Sequence, residues 1–300
     1  MISRTKAFKP DVAEIVTNQI LDALEKGVIP WMKPWKTLLP MNMISKRRYH
    51  GINLLILALS EHSSPYYLTF NQVSALGGNV KPGSRSYRVV YWRLLEHINA
   101  STGEITEIPM MRYYCIFNLE QCTGIPDDKI PKIDQIDFNP IEACEEIFNH
   151  MPNKPKIIPA RGAFYNRIED VVGMPDQNTF ISPEERYSTL FHELGHSTGH
   201  PKRLNRENKY EKAGFEDVYS NEELVAEISS SILCAYAGIS PRTIQNQAAY
   251  IDHWYKRLKS DKRLIIGASS LAQKAADYIM HEPGEINYNA CTWLGDYYNL

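Results

Sequence analysis

Apolar residues at helical spacing mark the clearest elements of this chain. Between residues 11 and 26, Ile15, Ile20, Leu21 and Leu24 recur on one side of a helix that Gly27 stops. A second helix is expected from Pro183, with Ser182 as N-cap, Glu184 and Glu185 in the first turn, and Tyr187, Leu190, Phe191 and Leu194 as its apolar stripe. Gly199 and Pro201 end it. A third helix is expected over 221–234, capped by Ser220 or Asn221, and amphipathic helices follow around 245–258 and 269–280. Residues 66–70 and 87–92 have the character of strands, and the glycine-rich 77–83 reads as a turn. The stretch 126–140 is rich in proline and aspartate and only weakly periodic. The pattern predicts an α+β protein of two domains: a small mixed α/β domain over 1–130, a linker at 131–140 and a second domain over 141–300.

Composition changes this picture little, but charge distribution does. Hydrophobic content of 43% and charged content of 23% suffice for real cores. The five cysteines, at 115, 122, 144, 234 and 291, form no C-x-x-C pair, which argues against cysteine-held zinc and for a reducing compartment. The start lacks the apolar run of a signal peptide, and the longest apolar stretch, 52–59, is too short to cross a bilayer. A cytoplasmic protein with no membrane partner is expected. The net charge of −2 conceals an asymmetry: residues 1–125 carry 14 Lys and Arg against 9 Asp and Glu, while the remainder is acidic. Within that basic half, cations alternate with flat rings at Trp31, Lys33, Trp35 and Lys36, then at Lys46, Arg47, Arg48 and Tyr49, and again at Tyr67, Arg88 and Trp92. Unpaired bases stack on rings while cations follow phosphates, so single-stranded DNA is the expected partner. The same tryptophans also suit a core, and the Lys-Arg-Arg run a solvated turn.

The candidate chemistry sits on the second helix. His192-Glu193-Leu194-Gly195-His196 is an H-E-x-x-H string, which places two imidazoles one helical turn apart on one face. Glu193 lies beside them, where it can take a proton from a metal-bound water. Such a site needs one more protein ligand and one open position. The extended pattern with a third histidine is excluded, because Lys202 stands where that histidine would be. The ligand is therefore sought on the third helix. Glu223 is assigned as the direct ligand and Glu227 as an outer partner orienting a ligand histidine, although the reverse assignment also satisfies the spacing. Ala226 and Ser230 share that face and would allow close helix packing, and Glu222 reads as an exposed acidic helix start. The expected ion is Zn2+, with other divalent ions such as Mn2+ admissible.

Several longer motifs carry a family resemblance. They are Val16-Thr-Asn-Gln-Ile20, 24–31 ending Val-Ile-Pro-Trp31, Lys33-Pro-Trp35, Tyr49-His-Gly-Ile-Asn-Leu-Leu55, Tyr67-Leu-Thr-Phe70, Val90-Tyr-Trp92 and Phe117-Asn-Leu-Glu-Gln121. In the second half they are 192–200, Arg203-Leu-Asn-Arg206, Glu222-Glu-Leu-Val-Ala-Glu227 and the segment 268–277. With these the chain resembles the ArdC-type antirestriction proteins of conjugative plasmids, related to the N-terminal part of TraC-type plasmid primases. The resemblance implies a single-stranded-DNA-binding N-terminal domain joined to a zincin-like metallopeptidase domain, and a role in protecting incoming plasmid DNA from restriction. Read as a DNA-recruited zinc peptidase, the chain uses Glu193 as general base and Tyr219 or His200 to stabilise the oxyanion, and an unidentified protein or peptide substrate is expected along a strand edge at 167–175. A monomer is expected. The alternative is a non-proteolytic coating protein in which the metal only supports the fold.

Overall fold

The computed structural model describes residues 11–34, 39–98, 105–132, 139–206, 215–241 and 246–281, with side chains described throughout except at 93–98, 105–109 and 215–220. The architecture is α+β.

Helix α1 spans Val12–Glu25; the Asp11 carboxylate accepts from the Ala13 N–H at its start, and Gly27 follows its end at φ +77°. Glycine takes that left-handed conformation without a Cβ penalty, which is why the helix stops there. Next come β1 (Met41–Asn42), α2 (Ile52–Ala58), β2 (Tyr66–Thr69) and α3 (Phe70–Ala75). The expected strand at 66–70 loses its last residue because Thr69 and Gln72 form a reciprocal cap that starts α3 at Phe70. Short β3 (Asn79–Val80), long β4 (Tyr87–Ile98) and β5 (Ile105–Asn118), and short β6 (Cys122–Thr123) complete this half. One sheet has the order β1-β2-β5-β4, and β3 pairs separately with β6.

Helix α4 (Pro140–His150) leads into β7 (Lys156–Pro159), β8 (Phe164–Asn166) and β9 (Val171–Met174). In this three-stranded sheet β9 is the middle strand, parallel to β7 and antiparallel to β8. The strand expected to offer a free edge at 167–175 is therefore paired on both sides, and the edges belong to β7 and β8. Helices α5 (Pro183–Ser197), α6 (Phe215–Tyr236), α7 (Gln247–Ser260) and α8 (Leu264–Met280) follow. Helix α6 starts before the expected cap, so Ser220 and Asn221 lie inside it. Helix α8 also starts early, because Leu264, Ile265 and Ile266 are buried.

One hydrophobic cluster draws on both halves of the chain, joining Ala13, Trp31 and Leu54 to Leu224, Trp254 and Ile265. Trp31 is fully buried, meets Trp254 edge-on at 6.2 Å between ring centroids, and donates its indole N–H to the Tyr250 hydroxyl. Burying two large rings with the indole N–H satisfied is a strong contribution to a core.

Candidate metal centre and nucleic-acid interface

The site is made by the crossing of α5 and α6. Gly195 lies against Ala226, where an added Cβ would stand 3.1 Å from the Ala226 Cα and closer still to the Ser229 hydroxyl. Ser230 donates to the Ser188 carbonyl across the same contact, at 2.9 Å. Small residues thus let the two backbones approach, and the approach carries α6 carboxylates to the histidine face of α5.

Three donors converge there. Nε2 of His192 and Nε2 of His196 are 3.1 Å apart, and the Glu223 carboxylate spans both, with Oε1 3.3 Å from the first and Oε2 3.4 Å from the second. Ligands of a tetrahedral centre with bonds of about 2.0–2.1 Å stand about 3.3 Å apart. The donor set therefore fits a divalent ion in both chemistry and spacing. His192 is buried, with a side chain 4% exposed, whereas His196 and Glu223 are 20% and 25% exposed, so the site opens on their side. Burial alone would raise the Glu223 carboxyl, but hydrogen bonds and charge from His192 and His196 hold it far below the usual carboxylate range. Burial alone would lower His196; its contact with Glu223 reverses that and raises it. The Glu193 carboxylate, buried on the same helix, makes no hydrogen bond or salt bridge among the described residues, yet lies close enough for its charge to act on His196. A carboxylate held beside the ligands without a partner is available to move a proton.

Of Glu223 and Glu227, only Glu223 groups with the two histidines as a possible donor among the described residues. Glu227 is buried one turn on. Nδ1 of His192 is buried without a hydrogen-bond partner among the described residues, so Glu227 does not hold that nitrogen. Glu222 is no exposed helix start. Its two carboxylate oxygens are gripped by Arg206, which is itself buried and donates to the Gly195 carbonyl at 3.0 Å and the Thr198 hydroxyl at 2.5 Å. Arg206 therefore ties the end of α5 to the residue preceding Glu223. The Arg203-Leu-Asn-Arg206 string was visible in the sequence, but its role was not, because nothing local shows what a charged residue faces. Nδ1 of His200 accepts from the Lys202 N–H at 3.2 Å and lies 3.9 Å from a carboxylate oxygen of Asp170. The Tyr219 side chain lies outside the described residues.

Comparison with known proteins bears on this arrangement. Residues 10–117 match the family described as the N-terminal domain of anti-restriction factor ArdC, and residues 142–271 match the zincin-like metallopeptidase family. A metal-free crystal structure of the antirestriction protein ArdC from the R388 plasmid is similar with a TM-score of 0.75 at 32% identity, covering 94% of this chain and 99% of that one. The chain belongs to the ArdC antirestriction family. An Mn(II)-bound structure of the R388 ArdC is similar with a TM-score of 0.73, covering 93% of this chain and all of that one. DNA primase TraC of Escherichia coli is 31% identical over 92% of this chain, which spans only 27% of the primase.

In this member of the ArdC family, several residues expected to meet DNA are packing residues instead. Trp31 is fully buried, and Tyr49 and Tyr67 are 8% and 3% exposed in a cluster with Leu57, Val89 and Ile116. Aromatic residues near Lys and Arg met the pattern, but burial removes their faces from any strand passing outside. Lys33 is turned to the Ser60 carbonyl. Trp35 and Lys36 lie outside the described residues. The cations fare better: Lys46, Arg47, Arg48 and Arg88 are exposed. Lys46 lies over the Tyr66 ring, Arg88 over Tyr113, and Arg48 over Tyr236 at the end of α6. Trp92 is half-buried. Sequence reasoning missed Tyr91, Tyr113 and Arg112, exposed on the β4–β5 hairpin, where Tyr91 is directly opposite Arg112. Strand alternation carried that signal, since Tyr91 lies between the buried Val90 and the half-buried Trp92.

Proposed function

We propose that this ArdC-family chain is a metal-dependent peptidase recruited to single-stranded DNA. The observation that carries the reading is the triangle of His192, His196 and Glu223 at tetrahedral spacing beside the unpartnered Glu193. His192, His196 and Glu223 would hold the ion, Zn2+ by the chemistry of two imidazoles and one carboxylate, or Mn2+ as in the R388 relative. A divalent ion held there would supply a water activated at neutral pH and a Lewis acid for a carbonyl. Glu193 takes the proton from the attacking water and delivers it to the leaving amine. Tyr219, with His200 as the alternative, would stabilise the developing oxyanion. An extended substrate backbone would run along β8, an edge strand that contacts α5. Exposed cations at Lys46, Arg47, Arg48 and Arg88, with the Tyr113 ring beneath Arg88, supply the strand-binding surface.

The test is Glu193→Gln in the full chain, assayed for bound metal and for cleavage of an unfolded protein substrate. Metal retained with cleavage lost supports the assignment; undiminished cleavage defeats it. A second reading, strand coating with a structural metal, rests on the exposed Lys46-Arg47-Arg48 run. Full restriction protection by a Glu193→Ala variant that has lost cleavage would favour coating.

A further inference from the structure

Arg203 lies in the turn after α5, and its side chain is 0% exposed. Every N–H of its guanidinium is engaged. Nε donates at 2.6 Å to the carbonyl of Ser197, the last residue of α5 and the one after His196. Nη1 donates to the Asn153 carbonyl at 2.9 Å, ahead of β7, and to one Asp170 carboxylate oxygen at 3.3 Å. Nη2 donates to the Tyr165 hydroxyl at 3.0 Å and to the other Asp170 oxygen.

The two side chains held by this guanidinium belong to the edge of the three-stranded sheet. Tyr165 is the middle residue of β8 and shares a face with its register partner Val172, which is fully buried. Asp170 sits in the turn between β8 and β9. The Tyr165 hydroxyl donates to Asp170 at 2.9 Å while it accepts from Arg203. Burial and the neighbouring Asp170 push that hydroxyl well above its usual range, so it keeps its proton. A planar fork bonded on every side fixes geometry in a way that a flexible ammonium does not. One cation thus ties the end of the helix that carries His192 and His196 to the strand at the sheet edge.

We propose that Arg203, acting through Tyr165, is the positioning residue that sets the β8 edge against α5, and so fixes where an extended peptide lies relative to the metal centre. The inference rests on the peptidase reading above, in which β8 carries the substrate backbone, and adds to it the residue that holds that edge in place. The two arginines of the Arg203-Leu-Asn-Arg206 string then have separate tasks. Arg206 joins α5 to α6, and Arg203 joins α5 to the substrate edge.

The experiment uses the full Zn2+-loaded chain with fluorescein-labelled casein as an unfolded substrate, and bound metal is measured per chain. Tyr165→Phe keeps the ring and removes only the hydroxyl; Arg203→Lys keeps the charge and loses the fork. Backbone bonds along a strand edge act alike in ground and transition states. Each variant is therefore expected to raise KM about fivefold or more, with kcat and metal content at wild-type level. In a Glu193→Gln background, where turnover is blocked, affinity for the same casein read by anisotropy should fall by the same factor. A residue that only held the fold together would reduce the active fraction, and hence kcat, without that split. If wild type cleaves casein and both variants keep its KM and affinity, the positioning role is refuted and the peptidase reading stands. A loss of kcat and metal content at unchanged KM would also overturn it, since Arg203 would then support the metal ligands instead. If wild type cleaves nothing, the peptidase reading falls and this inference with it.

Discussion

Arg206 holds both carboxylate oxygens of Glu222, the residue immediately before the metal-facing Glu223. The same guanidinium donates to the Gly195 carbonyl one residue before His196. One buried cation thus ties the C-terminal end of α5 to α6 beside Glu223, joining the two helices that carry all three donors. Arg206→Met removes these bonds while keeping most of the volume. Metal affinity, read by calorimetric titration of Zn2+ or Mn2+, is expected to fall about 10- to 100-fold. Stability should fall by roughly 3–5 kcal/mol, because Glu222 loses its partner. Wild-type affinity in a folded Arg206→Met protein would remove Arg206 from the support of the site.

The close approach at Gly195 has its own test. Gly195→Ala places a methyl against the Ala226 backbone and the Ser229 hydroxyl. The helices must separate, at about 1–3 kcal/mol, and Glu223 moves with α6. Urea unfolding should register the loss and metal titration a weaker site. Adding Ser229→Gly should recover only part of both, since the Ala226 contact is backbone. Complete recovery would show that the hydroxyl, not helix spacing, sets the limit.

Acid sensitivity is expected from Asp170. Partial burial would raise this carboxyl, but hydrogen bonds from Arg203 and Tyr165 and the Arg203 charge bring it down to about 2 from 3.8. A depressed carboxyl stabilises the fold above its unfolded value, and the contribution disappears as pH falls from about 4 towards 2. Its size is on the order of 2 kcal/mol. Asp170→Asn should lower stability at neutral pH by that order and flatten the acid limb of metal-stripped protein in urea unfolding. The residue sits at φ +53°, a conformation asparagine also accepts. An unchanged acid limb would contradict the assignment.

Trp31 separates a packing role from a DNA role. Trp31→Ala should destabilise the chain by about 3–5 kcal/mol through lost contact with Trp254 and Tyr250. In protein that remains folded, the salt dependence of oligothymidylate binding should match wild type, because the ring does not reach the surface. A reduced salt slope in that variant would return Trp31 to the interface.

Local signals in the chain determined a good part of this. The Ser182 cap, the apolar stripe through Leu194 and the H-E-x-x-H spacing are short-range features, and helical geometry alone sets His192 and His196 on one face. Glu223 and Glu227 were both legible as inward acids, since a carboxylate among Ala, Ile and Ser requires something to face. The choice between them was tertiary: it depends on how far α6 slides along α5, and Gly195 against Ala226 sets that position. Tertiary structure likewise buried Trp31, Tyr49 and Tyr67, placed β9 in the middle of its sheet, and turned Glu222 from a helix-end acid into the partner of Arg206. Residue type and spacing report which groups share an element's face; only packing between distant segments decides what that face meets, and hence whether a ring stacks on a base or fills a core.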